Sequence, residues 1–493
     1  MPSTFSVPAK IPVLRHGRGA QPTVRRKVVL YNPRSVFFTM PLGVLSVASN
    51  LDSARYEPVI VDGRLEADPV AAVLRQLDGA LCLGVSVLTG APIRDAIAVS
   101  RAAKTHFPDL PVVWGGWHPS LFPTECLEEP SVDITVQAQG EETFAEILDR
   151  LTQGRSLEGC LGCSYRNASG CVRQNAPRPL RDVNAFPAHD FDLLPVERYY
   201  ALKGKRQLDF ISSQGCNFRC AFCADPQVYG RQWVGLEPVR LAGEIDRLWQ
   251  RYHFDDLNFQ DETFFTRSAR VESIADELLR RRLPITWAAT MRADQGERLA
   301  DSVWRKCKES GLRRVLIGVE SGSQDMLDRI RKDIRLEQVH YCARQCLRHD
   351  IAIIFPFIVG FPGETDTSVW QSLDLAKQLR TLSSKFETPI FYFRPYPGSA
   401  ITAEAVANGY RLPRGLEEWA DFDYVDSRGP WVSQEKYRLV ERFKFYSELA
   451  FKSAPRWQWP LQAFARIRCR RDWYTVPIEK GVMQTLAPPT RLS

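Results

Sequence analysis

No run of this chain is long and apolar enough to cross a bilayer. The most apolar stretch, "IAIIFPFIVGFPG" (351–363), has 13 residues and two prolines, against the ~20 that a span requires. It reads as a buried strand and its exit loop. The N-terminus lacks a secretory apolar region, which predicts a cytoplasmic protein with no transmembrane segment. Acids are missing from the first 51 residues, and the basic, proline-containing stretch 1–26 is predicted to be a disordered leader. Neither sign of charge dominates: a net +7 over 493 residues is compatible with an anionic ligand and makes no case for nucleic acid. Twelve cysteines in a chain of this length do not suggest a disulfide framework, and in a reducing compartment they are thiols or metal ligands.

What is present is an ordinary globular composition, 44% hydrophobic and 25% charged, long enough for about three domains. From 27 to 150, buried-strand runs alternate with helix-like stretches: "KVVLYNP" (27–33), "PLGVLSVASNL" (41–51), "EPVIVDG" (57–63), "LCLGVSVLTG" (81–90), "LPVVWGGWHPS" (110–120) and "DITVQAQGEET" (133–143). This alternation predicts an α/β, doubly wound parallel sheet, with ligands bound beyond the carboxyl ends of the strands. Those ends carry Ser86 and Thr89, then Gly115, Gly116 and His118, then Gln139, Gly140 and Glu141.

Residues 151–206 read as a connector with a hairpin; its Cys160, Cys163 and Cys171 lack a fourth partner and are taken as free thiols rather than a metal site. A second β/α series, 207–400, has strand candidates at 207–213, 256–260, 286–290, 313–319, 351–359 and 390–396. Six such units predict a partial (β/α)6 barrel of the TIM type, with function at the carboxyl ends of its strands. Residues 401–493 predict a mostly helical region that shapes the substrate pocket. Within it, "PRWQWPLQAFARIRCRRDWY" (455–474) predicts a solvated helix that packs its aromatics onto the barrel; a peripheral membrane contact is the minor alternative.

The densest chemistry lies just after the first strand of that series. "SSQGCNFRCAFCADP" (212–226) places Cys216, Cys220 and Cys223 within eight residues. A closed structural zinc site needs four ligands, whereas three thiolates can hold three corners of an iron–sulfur cubane. The fourth iron then remains open to a substrate.

The spacing CxxxCxxC, with Phe222 before the last cysteine, resembles the signature of the radical S-adenosylmethionine (SAM) superfamily. The resemblance implies that a [4Fe-4S] cluster on Cys216, Cys220 and Cys223 binds SAM and cleaves it reductively to a 5′-deoxyadenosyl radical. It implies SAM contacts at Phe222, at Glu262 in "NFQDETF" (without the superfamily's Gly-Gly-Glu form), at Arg292 in "TMRAD", at Glu320 and Ser321 in "GVESGS", and at Gly360 in "FIVGFPGET". The first region in turn resembles the cobalamin-binding domain of the class that contains cobalamin-dependent methyltransferases and the anaerobic magnesium-protoporphyrin ester cyclases. That implies cobalamin contacts at Ser86, Thr89, Gly115, Gly116, His118, Gln139, Gly140 and Glu141, within a Rossmann-like fold. No histidine has Asp two residues before it and Gly three after, so an imidazole ligand to cobalt is not indicated.

Together the resemblances imply a C-methyltransferase acting on an unactivated carbon, with the sheet domain and the barrel mouth facing a shared substrate. Three alternatives stay open: a cyclase or rearrangement enzyme of the same class; a non-catalytic cobalamin sensor or carrier, for which an open iron is a poor structural device; and a radical SAM enzyme whose N-terminal domain binds no cobalamin and acts only as a docking module. The expected partners are a small-molecule substrate, hydrophobic or aromatic on the composition of 401–493, and an electron donor such as flavodoxin or ferredoxin. Tyr392, Arg394 and Tyr396, at the end of the last barrel strand, are the candidate substrate contacts.

Overall fold

The computed structural model describes residues 25–36, 38–422, 428–452 and 459–475. Nearly all of the expected leader, and the first tryptophan of the C-terminal aromatic stretch, lie outside them. Two compact units divide the chain. One holds the residues up to Phe218, Ala224–Glu262 and a segment from Val406; the other holds Arg219–Cys223, Thr263–Ala405 and the residues from Tyr424 onward.

The first unit is built on seven strands: β1 (Arg26–Asn32), β2 (Tyr56–Asp62), β3 (Ala80–Ser86), β4 (Val112–Gly115), β5 (Ile134–Val136), β6 (Cys163–Arg166) and β7 (Val172–Gln174), in the order β2-β1-β3-β4-β5-β6-β7. The first five pair in parallel. Their Val, Leu and Ile runs are buried on both faces because helices cover both sides. Between β1 and β3 the strand order reverses, which opens a crevice beyond the carboxyl ends.

Gly84, mid-strand in β3, is required there. A Cβ would lie 2.6 Å from Leu30 and 3.2 Å from the ring of Phe144, so the helix Glu141–Thr152 packs Phe144, Ile147 and Leu148 into the core only over a glycine. The hairpin β6–β7 is no free-standing connector. It extends this sheet antiparallel from β5, pairing Ile134 with Tyr165 and Val136 with Cys163, because Cys163 and Tyr165 face the same apolar core.

Still in the first unit, the predicted strand 207–213 is divided. β8 (Gln207–Phe210) pairs in parallel with β11 (Asp256–Phe259), while β9 (Ser213–Gly215) turns away to pair antiparallel with β10 (Trp233–Gly235). Buried Asp261 accepts from Ser212 N (2.7 Å) and from the Ser212 and Ser213 hydroxyls (both 2.6 Å) at the break.

The second unit continues the β/α series. β12 (Thr286–Met291), β13 (Leu312–Ile317), β14 (Ala352–Ile354) and β16 (Phe386–Glu387) pair in parallel in that order, and β15 (Phe357–Val359) pairs with β17 (Ile390–Tyr392). The predicted strand 351–359 is thus two strands. Pro356 has no N–H for a ladder, and its carbonyl instead accepts from Val319 N and Glu320 N, both 3.1 Å.

The C-terminal aromatics depart from expectation as well. The helix Trp459–Arg470 packs on the helix Gln434–Phe451 through Gln462, Ala465, Arg468 and Cys469, while Trp459, Phe464 and Trp473 stay 56%, 37% and 46% exposed. Buried Arg468 lies over the rings of Trp473 (4.3 Å) and Tyr446 (4.9 Å), so its guanidinium takes the packing position that a ring was expected to fill. No described helix is long and apolar enough to cross a membrane.

Candidate functional site

Beyond the carboxyl ends of β1, β3, β4 and β5, the first unit encloses a cavity of ≈ 380 Å³. Ser86, Gly115, Gly116, Gln139, Gly140 and Glu141 all line it, beside the small and apolar start of the helix Leu42–Ser49. Glycine makes this surface. Gly116 has φ +96°, and a Cβ there would sit 2.9 Å from both Val87 N and Val87 O, a conformation and a contact that an L side chain resists. At Gly43 a Cβ would meet nothing within 4 Å, so its absence leaves open space.

Thr89 and His118 do not line the cavity. His118 is fully buried against Phe122 and Trp419 (ring centroids 5.3 and 5.8 Å), with Nδ1 3.2 Å from Thr89 Oγ1. Burial lowers its pKa to about 3, so it is a neutral core imidazole.

Glu141 is buried at the start of its helix and accepts from Ser46 Oγ (2.6 Å) and Gln214 Nε2 (3.0 Å). Gln214 also bonds Gln139, whose Nε2 donates to Gln214 Oε1 at 2.6 Å. The sequence reading missed Gln214, which stands two residues before Cys216; the signal was one long amide side chain among the small residues Ser212, Ser213 and Gly215.

Glu262, expected among SAM contacts, lines this same cavity with Gln260 and Tyr229. The residue is partly accessible, but its Oε2 is covered and has no hydrogen-bond partner among the described residues. Burial, with Asp225 and Asp261 nearby, pushes its carboxyl up to about 8. Asp225, at the start of the short helix Asp225–Tyr229, is buried with both oxygens unpartnered, and burial pushes it up to about 7.

The remaining residues belong to the second unit, except Cys216, which belongs to the first. Arg219–Cys223 is anchored by Ala221 N donating to Ile330 O at 2.7 Å. Arg292 is buried where β12 ends. Its Nη1 donates to Cys220 Sγ at 3.4 Å, Nε to Asp294 Oδ1 at 2.9 Å, and Nη2 to the carbonyls of Lys332 (2.5 Å) and Asp333 (3.3 Å).

Lys332 forms a buried ion pair with Glu320 at 2.7 Å, and its Nζ stands 5.8 Å from the centre of the Phe222 ring. Glu320 holds φ +67°. Ser321 meets the Ser372 hydroxyl at 3.2 Å and accepts from Ser323 N at 3.1 Å. Phe222, Arg292 and Glu320 are therefore gathered around Lys332, a residue the sequence reading did not single out.

Gly360 has φ +78°; its N–H donates to Glu364 and its carbonyl accepts from Trp431 Nε1 at 2.6 Å. A Cβ on Gly360 would sit 2.6 Å from Val432, so it is Val432 that the glycine admits here. Tyr392 donates to Glu441 at 3.1 Å, and Tyr396 accepts through its carbonyl from Thr402 Oγ1 at 2.6 Å. Arg394 stands two residues beyond β17, and its carbonyl accepts from Tyr396 N at 2.9 Å.

Among the described residues no three His, Cys, Asp or Glu side chains converge on a single metal ion, and Cys160 and Cys163 are buried thiols while Cys171 is exposed. A cubane makes a different demand, one sulfur on each of three irons, and the three thiols of the 216–223 loop are the right donors for it. The glycine-walled cavity likewise fits a flat macrocycle approached closely by backbone.

Comparison with known proteins agrees with this division of labour. Residues 31–148 match the B12 binding domain and residues 210–376 the Radical SAM superfamily. An uncharacterized methyltransferase of Pyrococcus horikoshii, PH0819, is 30% identical over 407 residues, covering 82% of this chain and 86% of its own. The anaerobic magnesium-protoporphyrin IX monomethyl ester cyclase of a Synechocystis species is 24% identical, covering 68% and 67%. The radical SAM methyltransferase TsrM of Kitasatospora setae, solved with cobalamin and a [4Fe-4S] cluster, shares the fold at TM-score 0.66 and 18% identity, covering 79% of this chain and 76% of its own. The chain belongs to the radical SAM superfamily, as an enzyme whose radical SAM domain follows an N-terminal B12-binding domain.

Proposed function

We propose that this chain is a cobalamin-dependent radical SAM methyltransferase that methylates an unactivated carbon of a small molecule. The observation that carries the reading is the pairing, in one chain, of a three-thiol loop that leaves one iron open with a glycine-lined cavity at the switch point of a B12-binding sheet.

When bound, the cluster with SAM would supply a carbon-centred oxidant and cobalamin would supply methyl-transfer chemistry. The protein's part is to hold and orient. Cys216, Cys220 and Cys223 ligate the cluster. Phe222, Glu320 and Ser321 border SAM, and Gly360 fixes the loop beside them through its bonds to Glu364 and Trp431. Gly115, Gly116 and Gly140 admit cobalamin close to the backbone, with Ser86, Gln139 and Glu141 at the rim. Thr89 and His118 would support that wall from behind. The unpartnered oxygen of Glu262 accepts from a cationic group entering the cavity, whose charge returns the carboxyl to its anion. Tyr392, Arg394 and Tyr396 stand on the substrate side. A flavodoxin or ferredoxin supplies the electron, and the chain works in the cytoplasm.

Anaerobic reconstitution with cobalamin and methyl-labelled SAM against candidate metabolites tests the reading. One labelled methyl should appear in product, with 5′-deoxyadenosine formed alongside. A product that loses hydrogens and gains a ring, without label, assigns the chain to the cyclase side of its relatives instead. Iron, sulfide and turnover that survive replacement of all three cysteines by alanine would overturn both.

A further inference from the structure

From the sequence, Arg292 either meets a carboxylate or simply pairs with an acid. The structure pairs it with an acid, Nε to Asp294 at 2.9 Å. The side chain is 6% exposed and held at each of its three nitrogens: Nε by Asp294, Nη2 by the Lys332 and Asp333 carbonyls, and Nη1 against the sulfur of Cys220 at 3.4 Å. The planar fork is locked by carbonyls that belong to the backbone, so it cannot swing to a distant partner without breaking a buried set of hydrogen bonds.

We infer that Arg292 sets the reduction potential of the cluster through this N–H···S bond, acting as a positioning residue for the electron transfer that initiates SAM cleavage. The inference rests on the reading of Cys220 as a cluster ligand. Reduction adds one electron, taken from the external donor, to the cluster and its thiolates. A buried cation donating into one of those sulfurs stabilises the added negative charge and so raises the potential. Asp294, ion-paired to Nε at 2.9 Å, partly offsets that charge through a different nitrogen of the guanidinium. Sulfur and carboxylate thus share one cation, and the two have opposite effects on the potential. The same fork also ties the Cys220 loop to the 332–333 backbone, which bears Lys332 and its ion pair with Glu320 beside the Phe222 ring.

The test uses the full chain, reconstituted anaerobically, as wild type, Arg292→Gln, Arg292→Lys and Asp294→Asn. Iron and sulfide are counted first, and the midpoint potential is then read by redox titration with electron paramagnetic resonance detection. Arg292→Gln should make the cluster harder to reduce by about tenfold in the equilibrium, 59 mV for one electron, with Arg292→Lys between it and wild type. Asp294→Asn should move the potential the opposite way, because the guanidinium loses the charge that opposes it. A purely structural role moves neither in this signed fashion. A full cluster at the wild-type potential in Arg292→Gln overturns the inference. If that variant loads no cluster, Asp294→Asn decides: a raised potential supports the inference and an unchanged one refutes it. Wild-type protein without iron and sulfide, or a Cys220→Ala variant with an unaltered cluster, would instead sink the underlying cluster assignment.

Discussion

Glu262 offers the most direct test of the cavity's electrostatics. Its Oε2 is covered and without a hydrogen-bond partner among the described residues, and burial, with Asp225 and Asp261 close by, pushes the carboxyl from 4.5 to about 8. That difference corresponds to a preference of at most roughly 5 kcal/mol for the neutral acid, leaving about ten protonated carboxyls for each anion at pH 7. The sign follows from proton counting. Between pH 4.5 and about 8 the folded protein keeps a proton that the unfolded chain has released, so stability falls as pH rises through this window. Glu262→Gln removes the dependence, and the variant should gain on wild type as pH increases. Difference infrared spectroscopy of wild type against Glu262→Gln, without ligands, should show a protonated carboxyl that disappears with a midpoint near 8. Adding SAM, whose ammonium and sulfonium bring positive charge, should move that midpoint down. A carboxylate already ionised at pH 6 in the ligand-free protein would refute the reasoning.

Two shorter expectations concern the cavity wall. Gly116→Ala places a Cβ 2.9 Å from the Val87 backbone at φ +96°, which should cost about 1–3 kcal/mol; thermal melts and hydroxocobalamin titration should show a lower melting temperature together with weaker binding. His118 is a neutral imidazole packed behind the wall, so paramagnetic resonance of the cob(II)alamin form should lack a nitrogen coupling that His118→Phe removes. A coupling lost in that variant would make the histidine a cobalt ligand.

Local pattern and spatial arrangement divided the legible from the illegible. Cys216, Cys220 and Cys223 stood out because three thiols fall within eight residues, and the family they point to is the one the chain belongs to. The β/α alternation of the first region could be read because strands buried on both faces carry a continuous apolar centre, as Val28–Leu30 in β1 and Leu81–Val85 in β3. The breaks were hidden. A run such as "IAIIFPFIV" satisfies every strand preference except at Pro356, and only the pairing of its two halves with different strands shows that the proline divides them. Residue roles that depend on chain segments far apart were equally hidden. Arg292 meets Cys220 across 72 positions and Glu320 meets Lys332 across 12, and no periodicity announces either. The exposed rings of the C-terminal helix were misplaced because a buried arginine is a poor prior expectation, whereas Arg468 gains three rings and two carbonyls.

Gln214 shows how far a single polar side chain can reach within the first unit. It donates to Glu141, which opens the helix beneath the cavity, and accepts from Gln139 on the β5 turn, and it stands two residues before Cys216. Gln214→Leu keeps the approximate volume but removes both bonds. Buried Glu141 would then keep Ser46 as its side-chain partner, and the Gln139 amide would keep its bond to the Arg181 carbonyl. Leaving a buried carboxylate short of one donor costs about 1–3 kcal/mol, and the cost falls on the cavity rim rather than on the sheet core. The variant should therefore fold, with hydroxocobalamin affinity lowered by about tenfold or more. Gln214→Glu should do worse than Gln214→Leu, since it faces Glu141 with a like charge. If instead Gln214→Leu binds hydroxocobalamin as wild type does, the rim contributes nothing through Glu141 and the glycine wall alone carries the binding.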